Sequence, residues 1–188
     1  MGSKPPFERL RPLLRLLLFW LGVLLVVSGV LTINGRQLPD LDACRSGGDC
    51  VVLSQMRLEF AWTAEAYKEV EKWSDATRKR AAATLLADSW LLVPGYVLVL
   101  SILCGAAARR DDHQRSYRRF GVVISWLVFV AGAADLAENT LVGMALESAT
   151  GGVLVGLAMV VIVKWALVIL AALYATFAPL SRWVLGHI

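Results

Sequence analysis

A chain of 188 residues that is 57% hydrophobic, with a mean hydropathy of +0.62, exceeds the roughly 45–50% apolar content of soluble domains. That argues against an ordinary water-soluble domain and for an all-α membrane protein. The net charge of +4 decides little; where the charges fall decides more.

Four apolar windows run through the chain, at 13–33, 81–108, 121–146 and 152–178. Each reaches or exceeds the ~20 residues that a helix needs to cross ~30 Å of hydrocarbon. The expectation is a four-transmembrane-helix bundle that forms one integral membrane domain over residues 1–188. The first window is longer than the ~7–15-residue core of a cleaved signal peptide, so it reads as a retained span.

Lys4, Arg9, Arg11 and Arg15 accompany the start of the first window, against Glu8. Arg109, Arg110, Arg115, Arg118 and Arg119 lie between the second and third, against Asp111 and Asp112. Short cytoplasmic loops concentrate Lys and Arg. Both termini and the 109–119 loop are therefore expected inside, and 34–80 and the turn at 147–151 outside, in a plasma (inner) membrane. The 34–80 segment carries eight basic and eight acidic residues. Its Arg78-Lys79-Arg80 run stands against the rule, in a longer loop where the rule is weaker.

Within this outside segment, "DACRSGGDC" places Cys44 and Cys50 around two glycines. Exported segments are oxidising, and the Ser-Gly-Gly filler lets the chain turn back sharply, so a Cys44–Cys50 disulfide is expected. Cys104 falls inside the second window and reads as a small buried hydrophobe. The stretch "QMRLEFAWTAEAYKEVEKWSDATRKRAAATLL" reads as helical, with Thr63 as an N-cap and Ala66, Val70 and Trp73 at helical spacing. Ser74 before Asp75 suggests a second N-cap, leading into the second span. Trp62, Tyr67 and Trp73 suit the headgroup region, which gives an amphipathic helix on the outer surface between spans one and two.

The third window carries "AGAADLAENTLVG", with Asp135, Glu138 and Asn139 at i, i+3, i+4 on one helical face. Asp88 in the second window and Lys164 in the fourth are the other intramembrane charges. By helical rise, Asp88 and Glu138 lie about 10 Å below the outer boundary, Asp135 about 15 Å and Lys164 about 20 Å. A charge at a helix centre costs roughly 2.5–3.5 kcal/mol on insertion scales, so such groups face the bundle and pair. One reading is a structural polar network, with Lys164 neutralising Asp135 while Ser89, Asn139 and Thr140 satisfy the other carboxyls. The other is a functional site: three carboxylates against one Lys leave excess negative charge, which calls for a proton, a cationic ligand or an Arg such as Arg78 or Arg80. Asp88, Asp135 and Glu138 are then the catalytic candidates.

Pro94-Gly95 is expected to interrupt the second helix and free the Trp90 carbonyl, and Gly152 and Gly156 offer a close-packing notch. No HExxH, CxxC, phosphate-binding loop or nucleophile elbow is present. His113 and His187 lie in the inside loop and tail without a second ligand, so no metal or cofactor is expected. The basic "RRDDHQRSYRR" is what topology demands of an inside loop, and no nucleic-acid partner is expected.

The run "LEFAWTAEAYKEVEKWSDATRKRAAATLLADSWLLVPGY", followed by "DLAEN", resembles small, uncharacterised bacterial four-helix integral membrane proteins over residues 57–143. The resemblance marks Asp88, Asp135, Glu138 and Asn139 as characteristic positions and implies no activity. Three functions remain in view. The first is an accessory or scaffold subunit that meets membrane lipids and a membrane-protein partner or a second copy. The second is a lipid- or isoprenoid-handling enzyme or cationic-amphiphile binder that uses the carboxylates. The third is a proton- or cation-coupled carrier that works as an oligomer.

Overall fold

The computed structural model describes residues 4–36, 75–109, 115–148 and 150–185. Among them the chain is helical and holds no strand. The elements are α1 (Pro12–Arg36), α2 (Asp75–Ala87), a π turn (Asp88–Leu92), α3 (Val93–Arg109), α4 (Arg115–Glu147) and α5 (Gly151–Leu185). The π turn joins α2 to α3 without a break. Four segments among the described residues are long and apolar enough to cross a membrane: Pro12–Ile33, Arg78–Arg109, Ser116–Glu147 and Gly151–Ala178. Each overlaps one expected window, with ends that differ by at most a few residues. The outer-surface helix with its Thr63 cap, the Ser74 cap expected ahead of the second span, and the Cys44–Cys50 pair lie outside the described residues.

The surface of the helices is apolar where a soluble protein would be polar. Leu13, Leu17, Trp20, Leu24 and Leu31 on α1 are each more than half exposed, as are Trp90, Val155, Met159 and Phe177. Contiguous apolar surface on this scale is disfavoured in water and suited to hydrocarbon. Polar side chains, by contrast, lie among the buried residues: Asp88, Ser101, Ser125, Asp135, Glu138, Asn139 and Lys164.

The second span contains an irregularity that the sequence places incorrectly. Buried residues on α2 recur every three or four positions, at Ala81, Thr84, Leu85 and Asp88. The next on that stripe is Val93, five residues on, and Ser101, Cys104 and Ala108 continue it. A regular α-helix would rotate the second stripe by about 100° from the first, because one residue too many separates them. The π turn absorbs that residue: the Val93 N–H donates to the Asp88 carbonyl, five positions back. Pro94 follows at once, where an α-helix would have to lose a hydrogen bond and accommodate the ring. The helix is therefore not interrupted at Pro94-Gly95; it widens just before the proline and continues to Arg109.

By contacts the chain divides into two compact units, and each of the four spans contributes a segment to both. The first comprises Met1–Leu25, Pro94–Ala134 and Val163–Ile188; the second comprises Val26–Val93 and Asp135–Ile162.

The first unit packs Cys104, Ile124, Val128, Ala171, Tyr174 and Ala178 into a buried cluster. Cys104 behaves as the expected small hydrophobe, its thiol donating to the Ala171 carbonyl at 3.5 Å. Tyr174 meets Phe120 edge-on, ring centroids 5.9 Å apart, and covers Gly121, where a methyl group would overlap the tyrosine ring and Ala108. Ahead of α1, residues 4–11 fold back onto the same unit. Pro5 and Pro6 are buried, and Phe7 packs on Phe129 at 6.1 Å between centroids. The Trp126 indole N–H donates to the Lys4 carbonyl at 3.0 Å. Phe7 holds a φ of 62°, a left-handed conformation that costs a bulky residue energy and that persists only when its surroundings hold it.

In the second unit, α1 approaches the π turn at Gly29. A Cβ there would stand 3.1 Å from the Leu92 backbone nitrogen, so only glycine gives this close approach without displacement. The Arg78 guanidinium donates to the Leu146 carbonyl at 3.4 Å, at the C-terminal end of α4, where the helix dipole favours a cation. The expected glycine notch is only half present. A Cβ at Gly156 would sit 3.7 Å from Leu141, whereas one at Gly152 meets nothing within 4 Å.

Candidate functional site

Helix α4 carries its buried residues in one stripe. Ile124, Val128, Ala131, Asp135, Glu138, Val142 and Ala145 follow alternate steps of four and three, and Asn139 lies beside them. This is the inward face of an amphipathic helix turned inside out, with apolar groups also facing outward. The three polar residues interrupt the apolar stripe rather than leave it. Asp135 is 5% exposed, Glu138 0% and Asn139 7%; Asp88 at 2% and Lys164 at 5% are buried as well.

The structure brings three of the expected site residues into direct hydrogen bonding, all in the second unit. Asn139 Nδ2 donates to Asp88 Oδ2 at 2.7 Å and to Ser89 Oγ at 3.0 Å. Both amide hydrogens of Asn139 are thereby used, and the bond to the carboxylate has the short length of a charge-assisted contact. The other end of the carboxamide differs: Asn139 Oδ1 is buried and accepts no hydrogen bond among the described residues. Asp88 opens the π turn and Ser89 follows it, so the acceptors that hold Asn139 stand where the second span departs from α-geometry. Such turns are frequent at functional positions.

Asp135 and Glu138 are buried on the same face of α4, one and two steps along the stripe, within the second unit. Lys164 belongs to the first unit, where its ammonium stands 5.4 Å from the centroid of the Trp165 ring. Thr140 is not part of the site. It is exposed, and its hydroxyl donates to the Leu136 carbonyl one turn back at 2.9 Å. Its position next to Asn139 rotates it off the buried stripe by the helical 100°. Among the described residues, no group of three His, Cys, Asp or Glu could hold a metal ion.

Two features escaped sequence reading. The π turn has a signal only in the five-residue gap between Asp88 and Val93, which apolar windows conceal because their flanks are apolar too. The folded 4–11 segment has none, since Pro, Arg and Lys next to a span read as a solvated tail. Comparison with protein-family models, curated proteins and solved structures finds no match, so the resemblance to bacterial four-helix membrane proteins gains no support there.

Proposed function

We propose that the chain is a polytopic protein of the plasma (inner) membrane, with four spans and both termini inside, that serves as an accessory or scaffold subunit. In this reading its buried polar groups hold helices in register. The observation that supports it is Asn139, which uses both amide hydrogens on Asp88 and Ser89. Polar groups satisfied by one another are those of a structural network, and small polar contacts between helices commonly join membrane bundles. Mild-detergent purification followed by mass spectrometry tests it. A stoichiometric membrane-protein partner, or a second copy, is the expected result; a chain isolated alone with a bound small amphiphile would overturn it.

A second reading has one observation in its favour. The unfilled acceptor of Asn139, beside three buried carboxyl groups, suits a ligand that brings both a donor and a positive charge. That is a cationic amphiphile, bound or acted on as in lipid- or isoprenoid-handling proteins. Here Glu138→Gln should leave thermal stability nearly intact while removing the amphiphile.

A further inference from the structure

Asn139, Asp88 and Ser89 meet within the second unit, and the carboxamide that joins them has an acceptor left over. Asn139 Nδ2 uses its two hydrogens on Asp88 Oδ2 at 2.7 Å and Ser89 Oγ at 3.0 Å. An ionised carboxylate only accepts, so the nitrogen must be the atom that faces Asp88 and the oxygen the atom turned away. That oxygen, Oδ1, belongs to a residue only 7% exposed and accepts nothing among the described residues. A buried amide oxygen in that state carries a desolvation cost that a donor would remove.

The π turn supplies a second acceptor. In a regular α-helix the Ser89 carbonyl would receive the Val93 N–H, but here that N–H donates to Asp88. In the five-residue pattern of the turn it would receive the N–H of residue 94, which is a proline and has none. Ser89 therefore holds Asn139 through its hydroxyl while its carbonyl lacks a helical donor. The two open acceptors belong to residues bonded to each other, so both lie at one place in the unit. The residues beside them lead to the outer surface of the helices: Ser89 is half-buried, Trp90 is 74% exposed and Thr140 is exposed. With four spans in a bilayer that surface meets hydrocarbon, which favours a ligand carried by an apolar chain over a water-soluble ion.

We infer that this place binds a primary ammonium group borne by an amphiphile, its N–H groups donating to Asn139 Oδ1 and the Ser89 carbonyl, with the Asp88 carboxylate beside it. The inference rests on the second reading above and narrows it. A quaternary ammonium brings the same charge but has no N–H, and it leaves both acceptors open.

The experiment uses the full chain in an uncharged detergent, with dodecylammonium and dodecyltrimethylammonium as probes and native mass spectrometry as the readout. One dodecylammonium per chain is expected, held about tenfold or more tighter than the trimethyl analogue, the difference made by a hydrogen bond to a charged group. Equal binding of the two keeps a cation site and overturns the need for N–H donors; binding of neither overturns both. Methylammonium displacing dodecylammonium at equal concentration overturns entry from the lipid side. Asn139→Leu should bring the ratio of the two affinities to about one. Pro94→Ala returns an N–H to position 94, leaves Asn139 in place and should lower the ratio about threefold or more, and it serves where Asn139→Leu does not fold. Thr140→Val removes the neighbouring exposed hydroxyl and should leave the ratio within about twofold. The ratio, unlike either affinity alone, does not follow a general loss of stability. A ratio unmoved by both Asn139→Leu and Pro94→Ala overturns the site.

Discussion

Asn139 Nδ2 lies 2.7 Å from Asp88 Oδ2, between buried residues separated by 51 positions in the chain. The carboxamide is one donor to this buried carboxylate. Asn139→Ala should therefore destabilise the protein by about 1–2 kcal/mol in detergent melts, the upper range for polar contacts between membrane helices. Asn139→Asp should cost more, because a second carboxyl replaces the donor. Exchanging the pair, Asp88→Asn with Asn139→Asp, keeps one carboxamide and one carboxylate and should recover part of the loss. An exchange variant no better than Asn139→Asp alone would remove the pair from the account of stability.

Two glycines on α4 should respond in opposite ways to the same change. Gly121 lies beneath Tyr174 and Ala108, and a methyl group there overlaps both. Gly121→Ala should lower stability by roughly 1–3 kcal/mol, the usual cost of overpacking. Nothing lies within 4 Å of a Cβ at Gly143. Gly143→Ala should be neutral or stabilise by up to about 1 kcal/mol through helix propensity. Paired thermal melts decide the matter, and equal shifts would contradict the packing described.

The proposed orientation makes a labelling prediction. With Cys44 and Cys50 replaced by serine, and Cys104 buried, a thiol at Ser46 should react with an impermeant reagent from outside. One at Ser116 should react only after the inside is opened. The reverse pattern would invert every argument drawn from the basic loops.

Protein prepared without reductant should yield a peptide in which Cys44 and Cys50 are linked. Exported loops meet an oxidising compartment, and the intervening glycines permit the closure. Two free thiols recovered by alkylation and mass spectrometry from such a preparation rule the linkage out.

The spans could be read from the sequence because bilayer thickness imposes a length that composition displays directly. Asp135, Glu138 and Asn139 could be placed on one face for an equally simple reason, the helical period. The placing of Thr140 failed by one residue, which on a helix is 100°. The π turn could not be anticipated: Pro94 announced an irregularity, yet its form depends on which residues of both helix halves are buried, a tertiary property. Gly152 shows the same dependence, since spacing marks a notch only where another helix fills it.

The bond from Trp126 to the Lys4 carbonyl spans 122 residues, and it sets an order on assembly. A chain emerges from synthesis at about 5–20 residues per second, so residues 4–11 wait on the order of ten seconds for this donor to exist. Until then Phe7 has no Phe129 to hold its left-handed backbone. The beginning of the chain is thus among the last parts to settle. A fusion or tag placed ahead of Lys4 would burden a step that takes place only after the third span has been made.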